Sequence, residues 1–169
     1  MKLLFQSLRL TLVFTFLTGL LYPLFVTGVA QLAFHDKANG TPSLLAQKFT
    51  SPKYFWPRPS AGDFGTVPSG ASNFGPTSAA LRKAVQERRD KLGANAPADL
   101  LYASGSGLDP HISPEAARFQ IARVAAARGV GAEKIAALVE KFVEPPQLGF
   151  LGEPRVNVLL LNLALDRLN

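Results

Sequence analysis

The sequence contains no cysteine, and this absence removes several classes of site. Disulfide bonds, thiolate metal sites and cysteine nucleophiles are excluded, and a chain without thiols suits an oxidising compartment such as a bacterial periplasm. Histidine is also scarce, because His35 and His111 are the only two in the chain. A catalytic zinc site would therefore depend mostly on carboxylates, and we expect no metal site.

The common nucleotide and hydrolase motifs are missing as well. Residues 70–77 (GASNFGPT) have the glycine spacing of a phosphate-binding loop, but Pro76 occupies the lysine position. Proline offers phosphate neither a cation nor a backbone N–H, so we interpret this segment as a tight turn before a helix. No GxSxG nucleophile elbow is present. The remaining residues of triad type lack a diagnostic spacing, and they are Ser104, Ser106, Asp109 and His111.

Charge is absent from residues 10–34, an apolar run of 25 residues. At about 1.5 Å per residue, a helix of this length crosses a hydrocarbon core about 30 Å thick with some tilt. Pro23 lies mid-span, where it removes a helical hydrogen bond and is expected to kink the helix. Small residues that allow close helix packing surround it, namely Thr11, Thr15, Thr18, Gly19, Thr27 and Gly28. We therefore predict a transmembrane helix with a packing partner near its bend.

A cleaved secretory signal is the alternative interpretation of this segment. Lys2 and Arg9 would form its basic region, and residues 28–30 (GVA) would form a small-residue cleavage site. The apolar core of a signal peptide is only about 7–15 residues long, so an uncleaved anchor fits better. The two basic residues precede the span, while Asp36 and Lys37 cancel behind it. This asymmetry favours a cytoplasmic N-terminus.

The predicted topology places residues 1–9 in the cytoplasm, residues 10–34 in the membrane and residues 35–169 outside. The exported part is close to the usual size of one globular domain. The formal net charge is +6, and two of these charges belong to the membrane flank. The remaining excess is mild and dispersed, so lipid headgroups or an acidic partner surface fit better than nucleic acid.

Periodicity predicts a single N-terminal transmembrane helix followed by one exported α+β domain, helix-rich in its second half. Residues 49–75 should form a packed, loop-heavy region with a strand-like piece at 53–56, and residues 100–103 a buried strand. The predicted helices are 76–92, the segment from the Ser113 cap to Gly129, 132–142, and 156–168 with strand as its competitor. In the last helix, the residues predicted to share one face are Val156, Leu159, Leu160 and Leu163.

The aromatic run Tyr54-Phe55-Trp56, followed by Pro57-Arg58-Pro59, has two interpretations. Such a cluster stacks on bases or sugars in some proteins, but it more often fills a core. We favour the core, with Arg58 bonded to nearby carbonyl groups.

Four motifs taken together resemble one family. They are residues 54–61 (YFWPRPSA), 69–78 (SGASNFGPTS), 103–117 (ASGSGLDPHISPEAA) and 151–159 (LGEPRVNVL). In this order, behind one N-terminal span, they closely resemble the C subunit of the bacterial Kdp potassium-transporting ATPase over nearly the whole chain. Two departures are small: Pro57 stands where the family usually has glycine, and Phe74 where leucine is common.

The resemblance implies an accessory, non-catalytic subunit of a four-part potassium uptake pump. Its partners would be a channel-like potassium-translocating subunit, a P-type ATPase subunit and a very small stabilising subunit, within the lipid bilayer and without nucleic acid. The chain lacks the Asp-Lys-Thr-Gly signature of the phosphorylated subunit. The family is described as a catalytic chaperone that assists assembly and raises the ATP affinity of the hydrolysing subunit, and it is often labelled ATP-binding.

The ATP-binding label conflicts with the topology predicted from Lys2 and Arg9, because an exported domain does not meet cytoplasmic ATP. We therefore expect no directly bound cofactor, with ATP acting on the partner subunit. Any effect on ATP affinity would cross the membrane as a coupling free energy. The predicted location is the bacterial cell (inner) membrane, in which the chain makes a single pass.

The motif positions are expected to be structural or to lie at an interface, with no catalytic, metal or cofactor-binding residue among them. They are Tyr54, Trp56, Arg58, Ser60, Ser72, Asn73, Gly75, Pro76, Thr77, Asp109, His111, Glu153, Arg155 and Asn157, with Pro23 as the membrane kink. The alternative is a membrane-anchored periplasmic enzyme or ligand-binding protein. Its candidate residues are Ser72, Asn73, Asp109 and His111.

Overall fold

A computed structural model describes residues 1–35 and 43–168 of the chain. Contacts divide the chain into two compact units, Met1–Pro42 and Ser43–Asn169. Asp36 and Lys37, the pair predicted to cancel behind the span, lie outside the described residues.

The first unit contains one long apolar helix, Lys2–Ala33. It consists of α1 (Lys2–Phe16), a π-helical turn (Leu17–Leu21) and α2 (Tyr22–Ala33). Its most apolar 18-residue window has a mean hydropathy of 1.9, and no part of that window is buried within the protein. The helix is therefore long and apolar enough to cross a membrane, in agreement with the span expected from the sequence.

The π-helical turn ends at Leu21, two residues before Pro23, and Tyr22 N–H donates to the Leu17 carbonyl five residues back. A proline ring clashes with the carbonyl four residues earlier and supplies no N–H, so a locally wider turn relieves both problems. Nearby, Thr18 Oγ1 donates to Phe14 O at 2.7 Å. Pro23 thus coincides with a change of helix type, and a bend of the helix axis there stays a prediction.

The second unit combines helices with a small antiparallel sheet. Its helices are α3 (Ala79–Leu92), α4 (Ala98–Leu101), α5 (Pro114–Arg128), α6 (Ala132–Lys141) and α7 (Val158–Leu165). Its strands are β1 (His111–Ile112), β2 (Val143–Glu144) and β3 (Arg155–Asn157), in the order β1-β3-β2. In register, His111 faces Asn157 and Val143 faces Val156. This confirms an α+β domain that is helix-rich in its second half.

Local capping signals set the helix ends correctly. Ser113 Oγ accepts from Ala116 N at 3.1 Å, and α5 ends at Gly129, whose φ of 67° suits a residue without a Cβ. Helix α3 starts later than the predicted residue 76, because Ser78 supplies its cap by accepting from Leu81 N at 3.4 Å. The ends of α5, predicted from its cap residues, were therefore correct, whereas the start of α3, predicted from apolar spacing, was three residues too early.

Two strand predictions were wrong. The apolar run at 100–103 belongs partly to the short helix α4, because burial of Leu100 and Leu101 requires no strand partner. The piece at 53–56 follows a turn in which Tyr54 N donates to Ser51 O at 3.2 Å, and it joins no strand.

The predicted final helix begins only at Val158, since Val156 belongs to β3. Its predicted apolar face was also partly wrong. Leu160 and Leu163 are exposed, whereas Leu161 and Asn162 are buried.

Phe55 lies fully buried in the main core, which confirms that the aromatic run contributes to the core. Two buried amide side chains hold its backbone. Asn162 Oδ1 accepts from Phe55 N at 2.9 Å, and Asn162 Nδ2 donates to Phe55 O at 3.0 Å. Gln120 repeats this pattern on Trp56, accepting from Trp56 N at 2.8 Å and donating to Trp56 O at 3.1 Å. We call these four hydrogen bonds the amide brackets, because they replace the strand partner that residues 55–56 lack.

Replacing Asn162 by alanine is expected to destabilise the domain. The change leaves the buried Phe55 N–H and C=O without partners, and each such group costs about 1–3 kcal/mol. We expect the free energy of unfolding to fall by about 2–4 kcal/mol. Trp56 is the only tryptophan, so its fluorescence during urea unfolding of the detergent-solubilised chain measures this loss. Asn95→Ala is the matched control, because Asn95 is exposed; equal effects of the two changes would contradict the role of the bracket.

A second prediction concerns the ion pair that joins α5 to α6. Arg118 donates to both Glu140 oxygens, at 2.6 and 2.9 Å, and these hydrogen bonds lower the pKa of Glu140. A carboxylate with a lowered pKa stabilises the fold above its unfolded pKa, and this contribution is lost as the pH falls through the folded value. Glu140→Gln should therefore lower the melting temperature slightly at about pH 7 and not at about pH 2. An equal loss of melting temperature at both pH values would contradict this role of the ion pair.

Candidate functional site

A polar cleft of about 190 Å³ lies where three of the sequence motifs meet. Its charged and titratable lining residues are Arg58, Asp99, Asp109, His111, Glu153 and Arg155. Five of these are motif positions from segments far apart in the chain, and Asp99 is an addition that no motif indicated. The fold therefore gathers the polar residues of the motifs at one place.

Each side of the cleft is formed by a backbone segment that hydrogen bonds hold in place. The segment that carries Arg58 is held by the amide brackets and, one residue later, by Ser104 N, which donates to Pro59 O at 2.9 Å. Strand β1 carries His111 and pairs with β3, which carries Arg155. Two short strands and a bracketed loop thus bring the three motifs together.

Asp109 is the central acceptor of the cleft. Arg58 Nη1 lies 3.3 Å from its Oδ2, and His111 N donates to its Oδ1 at 3.0 Å. The His111 ring approaches the same oxygen, with Nδ1 at 3.4 Å. Arg58 therefore pairs with a carboxylate, and the expectation that it would bond to carbonyl groups was wrong. Its Nε is buried and has no hydrogen-bond partner among the described residues.

The carbonyl groups near the aromatic run are bound by two arginines that the sequence reasoning missed. Arg123 Nη1 donates to Pro52 O at 2.7 Å and to Tyr54 O at 3.0 Å, while its guanidinium lies 3.6 Å from the Trp56 ring centroid. Burial lowers the pKa of Arg123 to about 10, so it is still a cation at neutral pH. Its position on the same helix as Gln120, one turn later, was the signal available in the sequence.

Arg128 performs the same task at the end of α5. Its Nε donates to Lys53 O at 2.8 Å and its Nη2 to Asp166 Oδ1 at 2.6 Å. Tyr54 joins this group through its hydroxyl, which donates to Asp166 Oδ2 at 3.2 Å. Tyr54 and Trp56 therefore connect the first motif to α5 and to the end of α7, away from the lining of the polar cleft.

Ser104 and Ser106, the serines of triad type, line a neighbouring cavity of about 500 Å³, which shares Asp109 and His111 with the cleft. Ser104 Oγ lies 3.2 Å from Ser106 Oγ, and Ser106 Oγ accepts from Leu108 N at 3.1 Å. Among the described residues, neither hydroxyl bonds to His111. The residues of triad type are neighbours without the hydrogen bond that activates a serine.

The second motif lies on an exposed turn. Gly75 O accepts from Ser78 N at 3.0 Å, which agrees with the interpretation of a tight turn leading into a helix. Asn73, with a φ of 54°, and the following Pro76 and Thr77 are exposed. Ser72 and Asn73 line neither of these two cavities, whereas Asp109 and His111 line both.

The two remaining motif residues, Ser60 and Asn157, make structural contacts within the domain. Ser60 Oγ accepts from Phe64 N at 2.9 Å. Asn157 Oδ1 caps α7 by accepting from Leu160 N at 3.1 Å, and its Nδ2 donates to Ser43 O at 2.6 Å. In the part of the chain that the structure describes, no cluster of histidine and acidic residues is suited to a metal ion.

Sequence comparisons agree with this distribution of motifs over the whole chain. The family described as K+-transporting ATPase, c chain, matches residues 4–167. A potassium-transporting ATPase KdpC subunit of Geobacter sulfurreducens is 50% identical over 99% of this chain and 99% of its own length. Similar proteins of the same name from Rhodospirillum rubrum and Nitratidesulfovibrio vulgaris are 52% and 49% identical, over 90% and 96% of this chain and 89% and 93% of their own lengths. The chain therefore belongs to the KdpC family, the c chains of the K+-transporting ATPase.

Proposed function

We propose that this chain is the accessory, non-catalytic subunit of an ATP-driven potassium uptake pump. The observation that carries the proposal is the family match over residues 4–167, joined to relatives at about half identity that are named potassium-transporting ATPase subunits. Its partners in this proposal are a channel-like potassium-translocating subunit, a P-type ATPase subunit and a small stabilising subunit.

The proposed topology is a single pass through the bacterial inner membrane. Residues 1–9 lie in the cytoplasm, residues 10–34 span the bilayer and residues 35–169 form the exported domain. Support comes from the apolar helix and from Lys2 and Arg9 in its N-terminal part, which the positive-inside rule places towards the cytoplasm.

ATP acts on the partner subunit in this proposal, and the chain binds no cofactor directly. An exported domain is separated from cytoplasmic ATP by the bilayer, and the glycine-containing turn at 70–77 has a proline where a phosphate-binding loop has lysine. The chaperone effect on ATP affinity is then a coupling free energy carried by the membrane subunits.

The span is proposed to pack against the channel-like subunit, and the domain to assist assembly beside the outer mouth of the channel. The side chains of the helix are unburied within this chain, and the π-helical turn at Leu17–Leu21 lies among small residues such as Thr15, Thr18 and Gly19. Small residues allow the close backbone approach that stabilises helix pairs in lipid.

The first test is purification of the complex through a tag on this chain. We expect the other pump subunits to co-purify with potassium-stimulated ATPase activity, and deletion of residues 43–169 to reduce assembly or that activity. The variants Asp109→Ala and His111→Ala distinguish an accessory subunit from the alternative, a periplasmic enzyme. An enzyme would lose its own turnover with the complex intact, whereas an accessory subunit loses the complex or is unaffected. A deletion that leaves the purified pump unchanged in composition and activity would refute the proposal.

The topology is tested with protease applied to the two faces of the membrane. In spheroplasts the outer face is accessible, so the domain after residue 43 should be digested there and protected in inverted vesicles. The ATP-hydrolysing part of the P-type subunit, which must face cytoplasmic ATP, serves as the control with the opposite pattern. Protection in spheroplasts together with digestion in inverted vesicles would reverse the orientation deduced from Lys2 and Arg9.

A further inference from the structure

The loop between β2 and β3 exposes a group of apolar side chains. Leu148 is 83% exposed and Phe150 is 74% exposed, and Leu151 beside them is also exposed. We call residues 147–151 the hairpin tip. Adjacent exposed apolar side chains of this size commonly mark a site of interaction.

The hairpin tip is held in one conformation by its own backbone hydrogen bonds. Gln147 N donates to Leu151 O at 2.9 Å, and Leu151 N donates to Gln147 O at 2.9 Å. A third backbone hydrogen bond, from Gly149 N to Pro146 O at 3.1 Å, ties the tip to the residue that precedes it. The exposure of Leu148 and Phe150 is therefore built into the turn.

The same tip carries backbone strain. Leu148 has a φ of 53°, in the left-handed region that large side chains rarely adopt. This conformation directs a leucine to solvent at a position where glycine or asparagine would fit without cost. Strain and apolar exposure at one residue favour a role in binding over a role in the stability of this domain.

The charge beside the hairpin tip indicates which kind of partner could bind there. Arg155 is paired with Glu144, with Nε 3.0 Å from Oε2, and this leaves Glu153 exposed without an ion pair or hydrogen bond among the described residues. A free carboxylate next to the apolar tip disfavours an anionic lipid surface. It also disfavours a two-fold contact between copies of this chain, which would bring the two Glu153 side chains towards each other.

We propose that the hairpin tip docks into another subunit of the pump, in an apolar pocket bordered by a lysine or arginine that faces Glu153. Leu148 and Phe150 supply the buried apolar contact, and Glu153 supplies charge complementarity at its edge. This inference rests on the proposed function. Family membership implies contact with other pump subunits, and the inference assigns one such contact to the hairpin tip. Since Glu153 also lines the polar cleft, the docking surface continues into that cleft.

Site-specific photo-crosslinking in the intact pump tests the contact. The photoreactive residue p-benzoylphenylalanine replaces Phe150 in one variant and Val67, which is 92% exposed on another loop, in the control. We expect position 150 to capture a pump subunit and position 67 to capture much less. Capture of lipid alone, of a second copy of this chain, or of nothing at position 150 would overturn the inference, as would equal capture at both positions.

Charge and polarity variants provide an independent measurement. Phe150→Asp and Glu153→Lys should each reduce the amount of pump retained on the tagged chain by about tenfold in salt washes, whereas Val67→Asp and Glu153→Gln should have smaller effects. Trp56 fluorescence on urea unfolding checks that each variant is folded. Retention at the wild-type level by folded Phe150→Asp and Glu153→Lys would overturn the inference. The proposed function fails separately, if the unmodified chain itself retains no pump subunits.

Discussion

The domain depends on the amide brackets, in which Gln120 and Asn162 hold the backbone of Phe55 and Trp56. No described residue between 43 and 78 belongs to a helix or strand. This part of the domain therefore lacks the regular backbone hydrogen bonds of a helix or sheet. Buried backbone groups without partners are costly, so side chains on α5 and α7 provide the missing hydrogen bonds. The brackets join this irregular segment to the helical part of the domain, and Phe55 is buried in the main core.

The same constraint explains the arginines on α5. Arg123 and Arg128 donate to the carbonyl groups of residues 52–54, which have no partner in a helix or strand. The planar guanidinium of Arg123 also covers the Trp56 ring, which lysine would do less well. Gln120, Arg123 and Arg128 of α5 thus provide the hydrogen bonds and positive charges that hold residues 52–56. Arg58 is then fixed in the cleft by the segment that this face holds in place.

Sequence reasoning succeeded where a signal is local and failed where it depends on tertiary contacts. Ser113 and Gly129 gave both ends of α5, because a cap acts within one turn of its helix. The strand predicted at 100–103 became α4, since a four-residue apolar run has the same pattern in either structure. Asn162 was overlooked because it is a single polar residue within the apolar sequence of α7. Its partner at Phe55 is 107 positions away, and periodicity carries no such information.

The candidate site shows the same division. The motifs identified Arg58, Asp109, His111, Glu153 and Arg155 as residues of interest, but not that they would line one cleft. That convergence arises from the pairing of β1 with β3 and from the bracketed loop, neither of which has a sequence pattern of its own. Ser72 and Asn73 were grouped with Asp109 and His111 by residue type, but of these four residues only Asp109 and His111 line the cleft. Residue chemistry therefore selected good candidates, while chain topology decided which of them meet.

The proposed role requires little energy from such a domain. A coupling free energy of about 1–3 kcal/mol changes a ligand affinity by about 5–150-fold, and by linkage the effect acts in both directions. This magnitude corresponds to a few well-packed contacts at an interface. An accessory subunit therefore needs no catalytic group to alter ATP affinity across a membrane, provided that its contacts differ between two states of the pump. A rigid docking surface meets this requirement better than a flexible one, because a surface that adapts to both states would favour neither. The hydrogen-bonded turn at residues 147–151 and the bracketed loop that carries Arg58 both have that rigidity.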